Sequence, residues 1–224
     1  MQPIGLFGGT FDPVHYGHLL PVLEAAQALG LSEVRFVPAA QPPHRALPAA
    51  SPNHRLNMLE LALAERPDFA AVGFRLDDRE LRRGGPSYTV VTLESVRAEI
   101  GAQPLCLIMG VDAFLGLPGW HRWQELIQVA HLVVMQRPGW AVAALPAWAT
   151  ERLARDRREL EQGPAGRLWF QDVTPQDLSS TRIRERLAQS CVDAFLETGR
   201  RAADRSRGET SVIVDNPVIQ SKGS

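Results

Sequence analysis

The N-terminal forty residues carry the pattern that most constrains the fold: an apolar run, a glycine pair, an amphipathic stretch and a second apolar run. Residues 3–7 lead into Gly8 and Gly9, which predicts a buried strand entering a tight turn. Across residues 17–29 apolar side chains recur at helical spacing, and residues 33–39 predict a second strand. Such a unit places its two strands in parallel, joined by a right-handed crossover.

The same alternation continues along the chain. A proline-rich stretch over residues 38–52 predicts a functional loop, and Ser51-Pro52 has the form of a helix start. Further strands are predicted over residues 70–74, 105–109 and 132–135, and further helices over 90–100, 123–129 and 146–160. We therefore expect an α/β protein with a Rossmann-like, doubly wound, mostly parallel sheet and helices on both faces.

A chain of 224 residues suits one α/β domain with elaborations. We expect this domain to span residues 1–188. Residues 189–224 are then an atypical C-terminal tail, which is polar and weakly periodic from Arg200 onward and which we expect to be poorly ordered.

Composition excludes several classes of function. Lys plus Arg number 24 against 25 for Asp plus Glu, so no strongly basic balance recruits nucleic acid. The two cysteines, Cys106 and Cys191, are too few for a disulfide framework and show no CxxC spacing. No apolar run reaches the roughly 18 to 20 residues of a membrane span. We expect a cytoplasmic protein without membrane partners.

The densest chemical signal is the run GGTFDPVHYGH over residues 8–18. Glycines that follow a strand let the backbone approach a phosphate, and the next helix start offers N–H groups to an anion. His15 and His18, one turn apart, would bracket oxygens on which negative charge builds during phosphoryl or nucleotidyl transfer, and Gly17 leaves space between them. In an α/β sheet this loop lies where ligands bind. The run predicts a polyphosphate site.

The run admits two other interpretations. The glycines could form only a tight turn, with the histidines satisfying the helix start. A metal site is the other alternative, since His15, His18, His44 and His54 all fall in the first quarter of the chain. Metal-binding histidine pairs on helices are more often spaced i, i+4 as in HExxH, and no glutamate lies between this pair, so zinc is disfavoured.

With its HxGH core, GGTFDPVHYGH resembles the signature of the nucleotidyltransferase α/β-phosphodiesterase superfamily, and the GGTFDP form resembles the bacterial nicotinate mononucleotide adenylyltransferases. Further segments appear in the order that this family shows, and the resemblance covers about Ile4 to Leu187. These segments are PPHR at 42–45, PSYT at 86–89, GVDA at 110–113 with Trp120 and Trp123 after it, RPG at 137–139, and SSTRIR at 179–184.

The resemblance implies that ATP is one substrate and that Mg²⁺ is required. We expect Mg²⁺ to bridge the phosphates without a direct protein ligand, and Asp12 could hold a water on this ion. His18 and His15 are the implied catalytic residues, with His18 stabilising the transition state. The implied ATP-binding residues are Gly8, Gly9, Thr10, Phe11, His15, His18, Gly110, Asp112, Ser180, Thr181 and Arg184. Hydroxyls and the Arg184 fork suit phosphate oxygens, although simple N-capping also explains residues 179–181.

The second implied substrate is nicotinate mononucleotide. Trp120 would stack on its pyridine ring, although Trp120 and Trp123 taken alone suit ordinary core packing. The implied residues for this nucleotide are His44, Arg45, Tyr88, Thr89, Asp112, Trp120 and Arg137. Without the resemblance, Arg45 and Arg137 are equally well explained as solvated surface cations.

The implied reaction joins nicotinate mononucleotide to ATP, releases diphosphate and forms nicotinate adenine dinucleotide, a step of NAD biosynthesis. Rivals that share HxGH are phosphopantetheine adenylyltransferase and the cytidylyltransferases, which lack the combined PSYT and GxDA-to-tryptophan segments. A non-catalytic nucleotide-binding module is a rival of another class, because the chain departs from the family pattern at residues 197–201. Family members form dimers and other assemblies, so a homo-oligomer stays open.

Overall fold

A computed structural model describes residues 1–43, 47–139 and 145–190. Its strands are β1 (Ile4–Gly9), β2 (Glu33–Pro38), β3 (Phe74–Leu76), β4 (Leu105–Gly110), β5 (His131–Gln136) and β6 (Leu168–Asp172). Its α-helices are α1 (Tyr16–Leu29), α2 (Pro52–Ala64), α3 (Pro67–Ala71), α4 (Arg79–Arg83), α5 (Thr89–Ile100), α6 (Val111–Leu115), α7 (Trp123–Val129) and α8 (Ala147–Arg152). Short 3₁₀ helices cover Leu117–Gly119 and Arg157–Glu161.

The described strands form one sheet in the order β3-β2-β1-β4-β5-β6, and every neighbouring pair is parallel. The strand order reverses between β1 and β4, which is the arrangement of a doubly wound Rossmann-like sheet. The predicted fold class is therefore confirmed. Because the strands are parallel, the carboxyl ends of β1, β4 and β5 lie side by side at one edge.

The sheet is buried on both faces, and side chains of each strand alternate between two apolar clusters. On one face Ile4, Leu6, Leu107 and Met109 pack with Val90 and Leu93 of α5 and Leu126 of α7, which we call the first core cluster. On the other face Phe7, Cys106 and Ile108 pack with Leu19 and Val22 of α1, which we call the second core cluster. This alternation separates the helices into two layers.

The strand predicted over residues 70–74 was wrong in its position. Pro67 opens α3, which runs to Ala71, and the backbone of Gly73 has a left-handed φ of +73°. A proline at the first helical position favours the helical turn, and the left-handed glycine ends it. Strand pairing with β2 consequently begins only at Phe74.

The long helix predicted over residues 146–160 is also shorter in the structure. α8 ends at Arg152, and Leu153 is extended and bridges to Leu168 of β6. The N–H of Ala154 donates to the Leu168 carbonyl at 2.8 Å, so pairing with β6 interrupts the helix. Asp156 then caps the short 3₁₀ helix by accepting from the N–H of Arg158. Strand β6 itself was not predicted.

The chain divides into two compact units, residues 1–180 and 181–224. The first contains the sheet and α1 to α8. Residues 180–190 are helical, so residues 189 and 190 of the tail predicted over 189–224 continue this helix, and the rest of that tail lies outside the described residues. Among the helices described here, none combines the length and apolarity that crossing a bilayer requires.

A buried histidine, His131, lies at the amino end of β5. Its Nδ1 accepts from the N–H of Arg167 at 3.1 Å, so the ring proton is on Nε2, which donates to the carbonyl of Gly163 at 2.9 Å. The side chain is fully buried, and this burial lowers the pKa of His131 below its usual value.

The free energy of unfolding is expected to fall as pH drops below about 6.5, because the unfolded chain then binds a proton at His131 that the folded chain does not. The slope attributable to this residue is at most about 1.4 kcal/mol per pH unit. In His131→Gln the amide can donate to Gly163 without titrating. Urea titrations at pH 7.5 and pH 5.5 should therefore show a smaller pH dependence of the free energy of unfolding for this variant than for the unaltered chain. An equal pH dependence would contradict the role given to His131.

Candidate active site

The loop after β1 is shaped by a buried aromatic side chain. β1 continues through Gly9, so the turn predicted at Gly8 and Gly9 lies instead beyond them, at residues 12 and 13. Phe11 has a left-handed φ of +49°, and its buried ring packs against Phe7 and edge-on against His18. A Cβ at Gly9 would lie 2.8 Å from this ring. Gly9 therefore makes the fold of the loop sterically possible, and Phe11 contributes its backbone to the site.

His15 and His18 lie together where this loop becomes α1. Their ring centroids are 3.9 Å apart, and the planes are inclined by 30°. The backbone N–H of His15 donates to Nδ1 of His18 at 3.3 Å. Because Nδ1 accepts, the proton of a neutral His18 is on Nε2, which makes that atom the ring's hydrogen-bond donor.

The His15 ring is held close to Gly17 and is half-buried. Burial lowers the pKa of His15, which favours the neutral ring, and its buried Nδ1 has no hydrogen-bond partner among the residues described. Two imidazolium ions at this separation would repel each other strongly, so the pair is suited to carry at most one charge. The arrangement can present donors to an anion without requiring both rings to be protonated.

The side chains of Asp12 and Ser180 each tie the loop to a distant part of the chain. Asp12 is buried, and its carboxylate accepts from the N–H groups of Ala49 and Ala50 at 2.7 and 3.0 Å. Ser180 Oγ donates to the Pro13 carbonyl at 2.9 Å. These bonds fasten residues 12 and 13 to the segment before α2 and to the end of the first unit.

A third tie comes from Arg55 in α2, which the sequence analysis missed. Its side chain is fully buried, and its guanidinium donates to the carbonyls of Thr10 and Ala39 at 2.6 and 2.7 Å. An arginine within an ordinary amphipathic helix carries no local signal of such a contact, because both acceptors are backbone atoms far away in sequence. Only the packing of α2 against the ends of β1 and β2 brings them together.

The neighbouring strand ends supply other predicted residues. Gly110 ends β4 and precedes α6, and a Cβ at this glycine would have no atom of the described chain within 4 Å. Asp112 is exposed in the first turn of α6, and Arg137 is exposed directly after β5. Since β1, β4 and β5 are neighbours, these residues lie at the same edge as the histidine loop, next to open space.

The PSYT segment is fastened to the end of β2. Ser87 Oγ accepts from the N–H of Ala40 at 2.8 Å, and the N–H of Ser87 donates to the Gln41 carbonyl at 2.9 Å. Tyr88 and Thr89 consequently form the N-terminal boundary of α5. A ligand carboxylate at this helix start would meet backbone N–H groups.

Two aromatic residues lie near this boundary. Trp120 is half-buried and, like Tyr88, packs against the first core cluster. His121 was not predicted, and its ring lies 4.3 Å from that of Tyr88, inclined by 34°. The structure therefore supplies an aromatic surface beside the start of α5, built from residues that are separate in the sequence.

Four other predicted residues fall outside the described part of the first unit. His44 and Arg45 lie outside the described residues. Thr181 and Arg184 belong to the second unit, where Arg184 Nη2 donates to Thr181 Oγ1 at 3.3 Å. No group of three His, Cys, Asp or Glu side chains that could hold a metal occurs in the part of the chain the structure describes. The assignment of these residues to ligands stays a prediction.

Fold and geometry together define a doubly wound α/β protein whose histidine loop lies at the point where strand order reverses. A model of the family described as Cytidylyltransferase-like matches residues 6–186. A "Probable nicotinate-nucleotide adenylyltransferase" of Halorhodospira halophila is 51% identical over 191 residues, covering 84% of this chain and 85% of that protein. The protein of the same name from Methylococcus capsulatus is 52% identical over 189 residues, covering 83% and 88%.

This chain belongs to the Cytidylyltransferase-like family and, within it, to the nicotinate-nucleotide adenylyltransferases. Among solved structures it is similar to Plasmodium falciparum nicotinic acid mononucleotide adenylyltransferase complexed with NaAD, with a TM-score of 0.62 and 15% identity over 83% of each chain. At this identity the likeness supports the fold. The predicted family is confirmed by the two bacterial relatives.

Gly17→Ala should displace the His15 ring, because a Cβ there would lie 2.8 Å from His15 Nδ1 and 3.3 Å from Leu178 Cβ. Alanine is itself a better helix former, so folding should be retained. We expect altered imidazole ¹⁵N shifts at His15 and His18 in NMR spectra. Gly163→Ala is the control, since a Cβ there meets no described atom within 4 Å. Unchanged imidazole shifts in Gly17→Ala would contradict the packing described.

Proposed function

We propose that this chain transfers the adenylyl group of ATP to nicotinate mononucleotide, forming nicotinate adenine dinucleotide and diphosphate for NAD biosynthesis. An oxygen of the mononucleotide phosphate attacks the α-phosphorus of ATP and forms the new P–O bond. The bond from that phosphorus to the oxygen bridging the α- and β-phosphates breaks, and its electrons leave with diphosphate. No covalent enzyme intermediate is needed, because the attacking group is already an anion.

The observation that carries this proposal is the His15–His18 pair on the loop after β1. The two rings lie at the carboxyl edge of the sheet, beside the end of β4, where a doubly wound fold binds nucleotides. The substrates are inferred from the resemblance of this loop to the HxGH signature and from the family to which the chain belongs.

His18 is the residue best placed to stabilise the transition state. Its Nδ1 is engaged by the backbone of His15, so its donor is Nε2, and Phe11 packs edge-on against the ring. A ring oriented in this way needs little reorganisation when charge develops on the α-phosphate oxygens. Burial lowers the pKa of His15, so this second ring has a reduced tendency to add a second full charge.

The acceptor nucleotide is proposed to bind at the start of α5. The N–H groups of this helix start would receive the ring carboxylate, and Trp120 would stack on the electron-poor pyridine. Asp112 would accept from ribose hydroxyls, while His44, Arg45 and Arg137 would meet the phosphate or carboxylate. Tyr88, packed against His121, would border the ring.

Mg²⁺ is proposed to enter with ATP, as the MgATP substrate. Both oxygens of Asp12 already accept backbone N–H groups, which supports a structural role for this residue and leaves the phosphates as the main Mg²⁺ ligands. Gly8, Gly9, Thr10 and Phe11 would approach the phosphates through their backbone. Ser180, Thr181 and Arg184 are proposed to bind the departing diphosphate.

His18→Ala should lower turnover by about 10²-fold or more, the usual effect of removing a main charge-stabilising donor. The measurement is diphosphate release from ATP and nicotinate mononucleotide. His54→Ala is the matched control, because His54 is exposed on α2 and its ring contacts Ser51.

Near-normal turnover in His18→Ala would overturn the role given to this histidine. No diphosphate release by the unaltered chain would instead favour the non-catalytic nucleotide-binding module. Running nicotinamide mononucleotide in parallel identifies the preferred ring substituent.

Trp120→Ala should raise the KM for nicotinate mononucleotide more than the KM for ATP, because only the pyridine ring loses its stacking partner. Trp120→Phe retains a flat ring, so its KM for nicotinate mononucleotide should lie between those of the unaltered chain and Trp120→Ala. Steady-state kinetics with each substrate varied in turn provide the measurement. Equal increases in both KM values would contradict the assignment.

A further inference from the structure

Arg55 is the most unusual buried group near the proposed phosphate loop. Its side chain has no exposed surface, and it occupies a position between the ends of β1 and β2. Nη1 and Nη2 donate to the carbonyls of Thr10 and Ala39, whereas Nε has no hydrogen-bond partner in the described chain. A buried cation normally has a carboxylate partner, because desolvation of an unpaired charge is costly.

No carboxylate of the described residues forms an ion pair with Arg55 within 4.0 Å. Asp12 acts on it electrostatically, but its carboxylate oxygens accept from Ala49 and Ala50. Burial lowers the pKa of Arg55, yet a guanidinium stays protonated in proteins. A positive charge with incomplete compensation thus lies under the loop.

The bond to Thr10 also sets the direction of one peptide group. The carbonyl of Thr10 points toward Arg55, and in a trans peptide the N–H of the next residue points the opposite way. That N–H belongs to Phe11, whose left-handed backbone begins the turn toward His15. By fixing the Thr10 carbonyl, Arg55 therefore keeps the N–H of Phe11 directed away from the buried guanidinium.

Arg97 provides a comparison, because it is an arginine of the same chain with a purely structural set of hydrogen bonds. Its guanidinium donates to the carbonyls of Val129, Gly101, Gln103 and Pro164, with Nε, Nη1 and Nη2 all engaged. These acceptors lie before β4, before β5 and before β6, at the amino edge of the sheet. Arg55 differs in lying at the carboxyl edge and in having an unpaired nitrogen.

We propose that Arg55 is a positioning residue for the phosphates of ATP. It fixes the Thr10–Phe11 peptide group and places a buried positive charge beneath the loop that receives the nucleotide's anionic groups. A bound triphosphate adds negative charge beside this cation, which Asp12 compensates only from beyond ion-pair distance. This inference rests on the proposed function, because it takes the loop to be the ATP site.

The experiment compares Arg55→Gln and Arg55→Lys with Arg97→Gln and Arg97→Lys. Loss of the buried charge in Arg55→Gln should raise the KM for ATP at least about tenfold and leave the KM for nicotinate mononucleotide within about twofold. Lysine keeps the charge but cannot span two carbonyls as the fork does, so Arg55→Lys should give an intermediate KM. The Arg97 variants should lower the melting temperature without changing the ratio of the two KM values.

A binding measurement separates positioning from general destabilisation. Calorimetry with ATP and with adenosine should show that Arg55→Gln weakens ATP binding and leaves adenosine binding nearly unchanged. Equal weakening of both ligands, or no weakening of either, would overturn the proposal. If Arg55→Gln does not fold, Arg55→Lys provides the test. An ATP affinity of Arg55→Lys equal to that of the unaltered chain would contradict the proposal.

Chemical rescue provides an independent readout. In Arg55→Ala, low-millimolar guanidinium should restore the KM for ATP, whereas equal concentrations of urea or sodium should not. Failure of guanidinium to restore ATP binding in a folded variant argues against the proposal. Failure of the proposed function is distinguishable, since the unaltered chain would then release no diphosphate whatever the behaviour of the Arg55 variants.

Discussion

The structure depends above all on the parallel pairing of β1 between β2 and β4. This pairing sets the point at which strand order reverses and therefore places the ends of β1 and β4 side by side, at Gly9 and Gly110. Because the helices cover both faces, the carboxyl edge is where loops from several strands converge on open space. The histidine loop, α6 and the residues after β5 meet there as a consequence of topology.

Buried polar contacts convert this topology into a defined loop. Asp12 is held by the backbone before α2, Arg55 holds the Thr10 carbonyl, and Ser180 holds the Pro13 carbonyl. Each bond joins the loop to a segment distant in sequence, and each is shielded at least partly from water, where such bonds are strong. The rings of His15 and His18 then lie at close range, with their centroids 3.9 Å apart. A preorganised donor arrangement of this kind is what adenylyl transfer requires, since charge neutralisation and positioning carry its barrier.

Individual elements show where sequence reasoning succeeds. α2 starts at Ser51-Pro52 as predicted, and the Trp123–Val129 helix has the predicted bounds, because capping residues and apolar spacing are local signals. The 70–74 strand and the 146–160 helix failed where a neighbouring strand decided the outcome: Phe74 pairs with β2, and Leu153 is drawn out beside β6. For the site, the HxGH loop was evident from its residues. His121 and Arg55 were not, because their partners are Tyr88 and two backbone carbonyls remote in sequence.

The amino-acid sequence by itself determined the α/β class and the family, since strand and helix periodicity and a dense motif are properties of adjacent residues. It also predicted a phosphate-binding role for residues 8–18. Only the tertiary structure decided that Phe11 is buried, that His18 is a donor through Nε2, and that Arg55 lies beneath Thr10. These features arise from packing between α1, α2 and the ends of β1 and β2. A buried polar contact depends on which segments meet and on what water they exclude, and neither is encoded in local spacing.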